Sequence, residues 1–191
     1  MRIVLATHNA HKVDELRRIL GDRLGEHELI GYDGPEPVED GDTFEANALI
    51  KARAAHEHTG LPAIADDSGI TVAALGGAPG IHSARYAGTR DDGDNLRLLL
   101  TNMEGRSDRD AAFVCAAALV DDSGEHVLRA DWPGTLLEAR AGEGGFGYDP
   151  IFRPAGLETS AAELTADEKN AVSHRAQAFG ALIDVIRERL G

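Results

Sequence analysis

Residues 63–70 read Ala63-Ile64-Ala65-Asp66-Asp67-Ser68-Gly69-Ile70, an apolar run that leads directly into two adjacent acids. Its first three residues are apolar and predict a short buried strand, which Ile70–Ala74 can continue. The paired acids then lie at the end of that strand, where α/β sheets usually bind their ligands. Burying two carboxylates there is costly without a cation. The segment therefore predicts a ligand or metal site. The alternative is an acidic turn that is exposed to solvent.

Helix and strand patterns alternate on the N-terminal side of this segment. Arg2–Ala6 predicts a buried strand, and the helix pattern after it ends at Gly21. Glu28–Tyr32 predicts a second strand. Phe44 to about His58 predicts a helix whose N-cap is Thr43.

The alternation continues on the C-terminal side. Asp94–Asn102 predicts a helix, and the nearly all-apolar Ala112–Val120 predicts a strand buried on both faces. The turn Asp122-Ser123-Gly124 leads into His126–Ala130, which predicts a hairpin. Strands that alternate with helices, together with a hairpin, predict an α/β fold on a mixed sheet.

The C-terminal region carries a helix-start signal and a long apolar stripe. Thr165 and Glu168 have the spacing of a capping box. Apolar residues then recur every three or four positions, which predicts an amphipathic helix. The stripe consists of Val172, Ala176, Phe179, Ile183, Ile186 and Leu190. A break near Ser173, capping a second helix, is the alternative.

The amino-acid composition is typical of a globular protein and excludes several other classes. The 191 residues are 42% hydrophobic and 27% charged, which is typical of one globular domain or of two small lobes that share a core. With 19 Lys and Arg against 33 Asp and Glu, the net charge is −14, so duplex nucleic acid is a poor partner. No apolar run approaches the ~20 residues of a membrane span. The single cysteine, Cys115, excludes an internal disulfide, is expected in the core, and is typical of a cytoplasmic protein.

The segment Thr7-His8-Asn9-Ala10-His11-Lys12 lies at a predicted strand-to-helix junction. The first turn of a helix offers free backbone N–H groups and a partial positive charge, and it therefore suits an anion. Lys12 lies where that field disfavours a cation, and a bound anion would remove the conflict. Thr7 and Asn9 would add side-chain hydrogen bonds. The alternative is a plain helix cap with a solvated lysine, which acids such as Glu15 screen.

A second acidic group, Glu39, Asp40 and Asp42, precedes the helix that Thr43 caps. Mg²⁺ is typically held by one or two carboxylates, by water and by substrate phosphates. These acids are therefore candidates for a magnesium site together with the pair at 66–67. The alternative is a solvated loop.

Two further segments suit an anionic, flat ligand. Gly142–Pro150 places four glycines around Phe146 and Tyr148, which permits close backbone approach and a ring laid against a ligand; the alternative is a tight loop whose aromatic rings fill the core. A basic group stands out in this acidic chain and consists of Lys169, His174 and Arg175. Its alternative is a solvated helix face paired to nearby acids. The four segments together fit a Mg²⁺–nucleoside triphosphate, because acids can surround a triphosphate only with the metal between them.

Over nearly its whole length the chain resembles the inosine-triphosphate pyrophosphatase family, and the resemblance rests on an ordered set of motifs. These are Leu5-Ala6-Thr7 with Asn9 and Lys12, Thr43-Phe44 with Asn47-Ala48 and Lys51-Ala52, Asp66-Asp67-Ser68-Gly69, Leu75–Gly80 with Ser83–Tyr86, Gly145–Phe152, Ala162-Glu163-Leu164, Lys169, and Ser173-His174-Arg175.

The resemblance implies one pyrophosphatase domain over residues 1–191. Its fold would be a mixed, elongated, twisted sheet flanked by helices, with two lobes and the active-site cleft between them. The protein would be a cytoplasmic homodimer that contacts neither nucleic acid nor membrane. It would hydrolyse ITP, dITP and XTP to the monophosphate and pyrophosphate, and so clear deaminated purines from the nucleotide pool.

The resemblance also implies roles for particular residues. Mg²⁺ would be held by Glu39 and Asp67, and Asp67 would also be the general base. The nucleotide-binding residues would be Thr7, His8, Asn9, Ala10, His11, Lys12, Ser68, Phe146, Gly147, Tyr148, Asp149, Lys169, His174 and Arg175. The family often carries Glu directly before the Asn of the Phe44 helix; here that residue is Ala46 and the acid is Glu45, a rotation of roughly 100° on a helix. Glu45 is therefore not assigned a metal role.

Two other functions remain open. A related pyrophosphatase could act on other modified bases, and a nucleotide-sensing module could bind without turnover. A sensor would lack a site acid, whereas Asp66 and Asp67 are both present. Donors from His174 or Arg175 to a 6-keto oxygen would disfavour adenine, which has no acceptor there.

Overall fold

The structure is a computed structural model that describes residues 1–191, apart from the side chain of Asp22. The strands are β1 (Arg2–Leu5), β2 (Glu28–Gly31), β3 (Ala63–Val72), β4 (Asp110–Asp121), β5 (Gly124–Leu136) and β6 (Phe152–Pro154). The α-helices are α1 (Ala10–Leu20), α2 (Phe44–Thr59), α3 (Asp92–Asn102), α4 (Ala166–Val172) and α5 (His174–Leu190). The predicted α/β class is confirmed.

The strands form a mixed sheet in the order β2-β1-β3-β4-β5-β6. Strand β1 is parallel to β2 and to β3, with Leu5 opposite Ile64. Strands β5 and β6 are antiparallel, with Leu136 opposite Phe152. Two residues, Asp122 and Ser123, join the neighbouring strands β4 and β5, which is the predicted hairpin.

The sequence placed Asp66 and Asp67 at the end of a strand, and this prediction was wrong. Both lie in the interior of β3, which continues without a break to Val72. The strand can continue because the side chains of both acids contact cations, as described below. The apolar residues Ile70 and Val72 then resume the buried pattern.

Side chains cap the starts of α1, α2 and α4, and two of these caps, at Thr43 and Thr165, were predicted. Asn9 caps α1, and the Thr43 side chain accepts a hydrogen bond from the backbone of Ala46 at the start of α2. Thr165 and Glu168 form the predicted reciprocal capping box at α4. These side chains accept hydrogen bonds from backbone N–H groups that have no partner within the helix.

The long C-terminal helix is interrupted at Ser173, which is the alternative that the sequence left open. The Ser173 hydroxyl accepts a hydrogen bond from the Ala176 backbone and caps α5, while α4 ends at Val172. The interruption takes Val172 out of the predicted apolar stripe, and this residue is 43% exposed. Phe179, Ile183 and Ile186 are buried as predicted.

The chain divides into two compact units. The first comprises residues 1–67, 115–130 and 172–191. In its core, α1 packs against α5, and Leu16 of α1 and Phe179 of α5 are fully buried. Cys115 belongs to the same core, as predicted.

The second unit comprises residues 68–114 and 131–171. Three aromatic rings, those of Phe113, Trp132 and Phe152, form the centre of its core. The rings of Phe113 and Phe152 meet edge to face with 4.6 Å between centroids, an arrangement that aromatic quadrupoles favour. Throughout the described chain, no helix is long and apolar enough to cross a membrane.

The interruption at Ser173 predicts unequal stability effects for two residues that the sequence placed on one apolar stripe. Phe179→Ala should lower the free energy of unfolding by about 3–5 kcal/mol, because it opens a cavity in a fully buried core. Val172→Ala should change it by less than about 0.5 kcal/mol, since Val172 is exposed. Urea-induced unfolding followed by circular dichroism measures both values, and equal losses would contradict the break at Ser173.

Candidate functional site

The start of α1 is organised by its own side chains. The Asn9 Oδ1 accepts hydrogen bonds from the backbone N–H groups of His11 (3.0 Å) and Lys12 (3.3 Å). The Thr7 Oγ1 accepts one from the backbone of Asn9 at 3.2 Å. The side chains expected to bind an anion therefore shape the helix cap in this structure. That they also bind a ligand stays a prediction.

Lys12 is paired with an acid of the protein itself. Its Nζ lies 2.9 Å from the Oδ2 of Asp66, and both side chains are largely buried. The predicted conflict between this cation and the helix field is thus relieved by Asp66. Burial lowers the pKa of Lys12, and the neighbouring cations Lys51 and Arg175 oppose the attraction of Asp66.

Arg175 is the second cation on Asp66. Its Nε lies 3.4 Å from Asp66 Oδ2, and its Nη1 lies 2.9 Å from the carboxylate of Glu15. Although burial favours the neutral acid, Lys12 and Arg175 hold the pKa of Asp66 well below its ordinary value. Asp66 is therefore an ionised carboxylate inside the protein.

The alternative of a solvated basic helix face is wrong for Lys169, His174 and Arg175, since all three are buried. The acids nearest in sequence have other roles. Glu163 accepts a hydrogen bond from the backbone of Ser160, and Glu168 accepts one from the backbone of Thr165.

Asp67 lies next to Asp66 on β3 but has a different set of partners. Its Oδ1 is 3.2 Å from the Nζ of Lys51, and the same Nζ is 2.9 Å from Glu39 Oε2. Its Oδ2 accepts a hydrogen bond of 3.4 Å from the Asn47 amide, whose Oδ1 in turn accepts one from the Gly41 backbone. Two elements therefore converge on Asp67: helix α2 and the loop that carries Glu39.

The surroundings raise the pKa of both partners in this contact, Asp67 and Lys51, but for different reasons. Burial raises the pKa of Asp67 above its ordinary value, and Lys51 counteracts only part of that effect. Burial alone would lower the pKa of Lys51, but the nearby carboxylates, led by Asp67, raise it. The lysine accordingly remains charged, while Asp67 accepts a proton more readily than an exposed aspartate.

The acids of this region fit a hard divalent cation. The carboxylates of Glu39 and Asp67 converge on one ammonium group, so a positive charge already lies where they meet. Asp66 Oδ1 is buried and has no hydrogen-bond partner among the described atoms. Within the described side chains, no group of three or more His, Cys, Asp or Glu is arranged to hold a metal ion. Mg²⁺ commonly takes one or two carboxylates and completes its shell with water and phosphate, so Glu39 and Asp67 are the residues that could hold such an ion.

In the second unit, the glycine-rich loop holds an aromatic ring against a lysine. The Lys169 ammonium lies 4.9 Å from the centroid of the Phe146 ring, a cation–π distance. It also lies 2.7 Å from Asp149 Oδ2, and both of these charged groups are buried. Tyr148 is buried in the core and donates a hydrogen bond to the Ser83 carbonyl at 2.7 Å. The core-filling alternative therefore holds for Tyr148, whereas Phe146 is only half-buried.

The other predicted site residues lie in varied settings. His8 is partly exposed, with its Nδ1 3.3 Å from Glu36. Ala10 and His11 are exposed, and Ser68 is half-buried within β3. Glu45, which was assigned no metal role, lies 3.6 Å from Arg129. Direct contacts join Lys12 and Arg175 to Asp66, and they join Phe146 and Asp149 to Lys169.

Three residues contact the predicted site without a predicted role in it: Asn47 and Lys51, which belong to the family motifs, and Glu15, which was expected only to screen Lys12. Lys51 and Asn47 lie four residues apart on α2, and therefore on one face of the helix. The family motifs that contain Asn47 and Lys51, together with their shared helix face, were the sequence signal that could have found them. The pairing of Glu15 with Arg175 had no local signal, because 160 residues separate them.

The fold and these contacts define a mixed α/β protein with two buried, adjacent carboxylates set among lysine and arginine side chains. The chain belongs to the Ham1 family, whose model matches residues 3–185. This confirms the family that the sequence motifs indicated.

Individual relatives are similar over their full length. The dITP/XTP pyrophosphatase of Leifsonia xyli subsp. xyli is 55% identical over 191 residues, covering 98% of this chain and 96% of that protein. The solved structure of a HAM1 protein from Coxiella burnetii has a TM-score of 0.90 at 43% identity and covers 98% of this chain and 99% of that chain. The structure of a nucleoside-triphosphatase / dITP/XTP pyrophosphatase from Mycobacterium abscessus has a TM-score of 0.78 at 47% identity, with 95% and 98% covered.

The burial of Asp66 among cations predicts a large stability effect. Asp66→Ala should lower the free energy of unfolding by about 3–5 kcal/mol, because it leaves buried cations without their counter-charge. The matched control is Glu125→Ala, which removes the carboxylate paired with Arg53 at the surface and should cost less than about 1 kcal/mol. Urea titration of both variants measures the difference. A loss for Asp66→Ala as small as that of the control would show that Asp66 does not hold these cations.

Proposed function

We propose that this protein is a dITP/XTP pyrophosphatase that hydrolyses ITP, dITP and XTP to the nucleoside monophosphate and pyrophosphate. Two relatives with that name are 55% and 54% identical to this chain, and the matches cover 96% and 99% of their own lengths. The observation that carries the proposal is the pair of adjacent buried carboxylates on β3, with lysines against both of them. Such a pair suits a reaction in which anionic phosphates, a divalent cation and water meet.

The reaction is a displacement at the α-phosphorus. The oxygen of water forms a bond to that phosphorus, and the bond from the phosphorus to the α,β-bridging oxygen breaks. The bridging oxygen and its electron pair leave with pyrophosphate. Asp67 accepts the proton of the attacking water, and its raised pKa suits that role.

Mg²⁺ is the proposed cofactor, and Glu39 and Asp67 are its proposed ligands. When bound, the ion supplies charge neutralisation for the triphosphate. The Lys51 ammonium contacts both acids and therefore holds the two carboxylates close to each other. Lys12 and Lys169 are the proposed contacts to phosphate oxygens, and the start of α1 is a proposed anion-binding element.

Phe146 is the proposed stacking partner of the base, because it is the half-buried ring of a glycine-rich loop. Discrimination between bases is proposed to come from hydrogen-bond donors that face a 6-keto oxygen, with His174 and Arg175 as candidates. Adenine would leave such a donor unmatched, which costs roughly 1–3 kcal/mol per group. Arg175 already contacts Asp66 and Glu15, and these contacts would fix its orientation.

The wider setting is part of the same proposal. We infer one functional domain over residues 1–191, a homodimer, and action in the cytoplasm on the free nucleotide pool. The net charge of −14 supports a small-molecule partner over duplex nucleic acid.

A substrate panel tests the proposed reaction. The protein and Mg²⁺ are incubated separately with ITP, XTP, dGTP and ATP, and pyrophosphate and orthophosphate are quantified separately. We expect pyrophosphate from ITP and XTP, with ATP and dGTP nearly untouched. Release of orthophosphate would overturn cleavage between the α- and β-phosphates, and tight ITP binding without turnover would favour the sensing function.

The role of Asp67 predicts a variant that is folded but nearly inactive. Asp67→Asn keeps the shape of the side chain and removes its basicity, so kcat for ITP should fall at least about 100-fold. Asp122→Asn is the matched control, since its side chain is fully exposed, and it should keep wild-type turnover. Circular dichroism checks the folding of both variants. Near-normal turnover by folded Asp67→Asn would contradict the assignment of the base.

A further inference from the structure

The glycine-rich loop is held by an acid that comes from a distant part of the chain. Asp92, the first residue of α3, accepts a hydrogen bond through its Oδ2 from the backbone N–H of Gly147 at 2.8 Å. The two residues are 55 positions apart in the sequence, and both belong to the second unit. Asp92 belongs to none of the sequence motifs and has no role in the proposed reaction.

This contact completes the restraint of Phe146. The backbone N–H of Phe146 donates to Asp149 Oδ2 at 2.9 Å, and the next N–H, that of Gly147, donates to Asp92. These two N–H groups belong to the two peptide planes on either side of the Phe146 Cα. With both planes held by carboxylates, the φ and ψ angles of Phe146 are restrained, and so is the direction of the Cα–Cβ bond that carries its ring.

The surrounding backbone needs such restraint. Gly145 and Gly147 both have positive φ angles, of 67° and 61°. At Gly145 an added Cβ would lie only 2.0 Å from the Asp149 carboxylate, so glycine is required there. Glycines give a loop access to many conformations, and ordering them costs more entropy than ordering other residues. An external hydrogen bond to a charged acceptor selects one of these conformations.

We propose that Asp92 is a positioning residue for nucleotide binding, which orients Phe146 beside Lys169 by holding the Gly147 amide. The inference rests on the proposed function, since it takes Phe146 as the surface on which the base stacks. A ring that is already oriented binds the nucleotide without first having to order the loop. Stacking of the base is equal in the ground state and the transition state, so its loss raises KM and leaves kcat unchanged.

The first test compares steady-state ITP hydrolysis by matched variants. Asp92→Ala should raise KM by about five- to tenfold, with kcat within about twofold of wild type. Asp92→Asn should recover most of the affinity, because its amide oxygen still accepts a hydrogen bond. Asp94→Ala is the control: Asp94 is the other acid in the first turn of α3, and its side chain contacts Thr89 and Arg97 instead of the loop.

The second test does not depend on turnover. Amide hydrogen exchange at Gly147, followed by NMR on the ligand-free protein, should be faster in Asp92→Ala than in wild type and unchanged in Asp94→Ala. Asp92 is exposed, so the variants should fold; Asp92→Ser repeats both tests if Asp92→Ala is unstable.

Three results would overturn the inference: unchanged Gly147 exchange in Asp92→Ala, an equal rise of KM in Asp94→Ala, or a fall of kcat with KM unchanged. An inactive wild-type protein would instead refute the proposed function. In that case faster Gly147 exchange in Asp92→Ala would still support Asp92 as the residue that holds the loop.

Discussion

Two adjacent carboxylates inside one buried strand impose the constraint on which the first unit depends. Successive side chains of a strand point to opposite faces of the sheet, so Asp66 and Asp67 cannot share one counter-charge easily. Each has its own partners: Asp66 contacts Lys12 and Arg175, and Asp67 contacts Lys51 and Asn47. An unpaired carboxylate in either position would be strongly destabilising, because removal from water costs an ion several kcal/mol. Cationic side chains must therefore lie on both faces of β3.

Asp66 relieves the same electrostatic conflict in two helices. Lys12 lies in the first turn of α1 and Arg175 in the first turn of α5, where the positive end of each helix dipole disfavours a cation. Both side chains contact the one ionised carboxylate, and Glu15 adds a second contact for Arg175. The packing of α1 against α5 thus brings two helix starts to a single anion. The cost of burying the charges and the cost of placing cations at helix N-termini are offset together.

Local patterns predicted the secondary structure well, because helix caps and apolar periodicity act over a few residues. The cap residue Thr43 and the buried strand β4 were both evident from such patterns. The strand β3 was predicted too short, since paired acids resemble the end of a strand until their distant cations are known. Local patterns also left open whether the last helix breaks at Ser173; in the structure the Ser173 hydroxyl caps α5 there.

The candidate site was predictable in its residue types and only partly in its contacts. The family motifs selected Asp66, Asp67 and Lys12; the structure pairs Lys12 with Asp66, and it pairs Asp67 with Lys51. The pairing of Glu15 with Arg175 joins residues 160 positions apart, and no short pattern reports it. Asp92 is an ordinary helix-start acid in the sequence, and only its distance to Gly147 distinguishes it from Asp94.

The proposed function joins the fold to its chemistry at one point: Asp67 of β3 and Glu39 of the preceding loop would bind a divalent cation together with a triphosphate. Isothermal titration of Mg²⁺ into the protein tests it, with and without an inosine triphosphate analogue whose α,β-bridging oxygen is replaced by methylene. We predict tight binding of Mg²⁺ only when the analogue is present, and loss of that binding in Glu39→Gln. Equal Mg²⁺ binding with and without the analogue, or undiminished binding in Glu39→Gln, would contradict it.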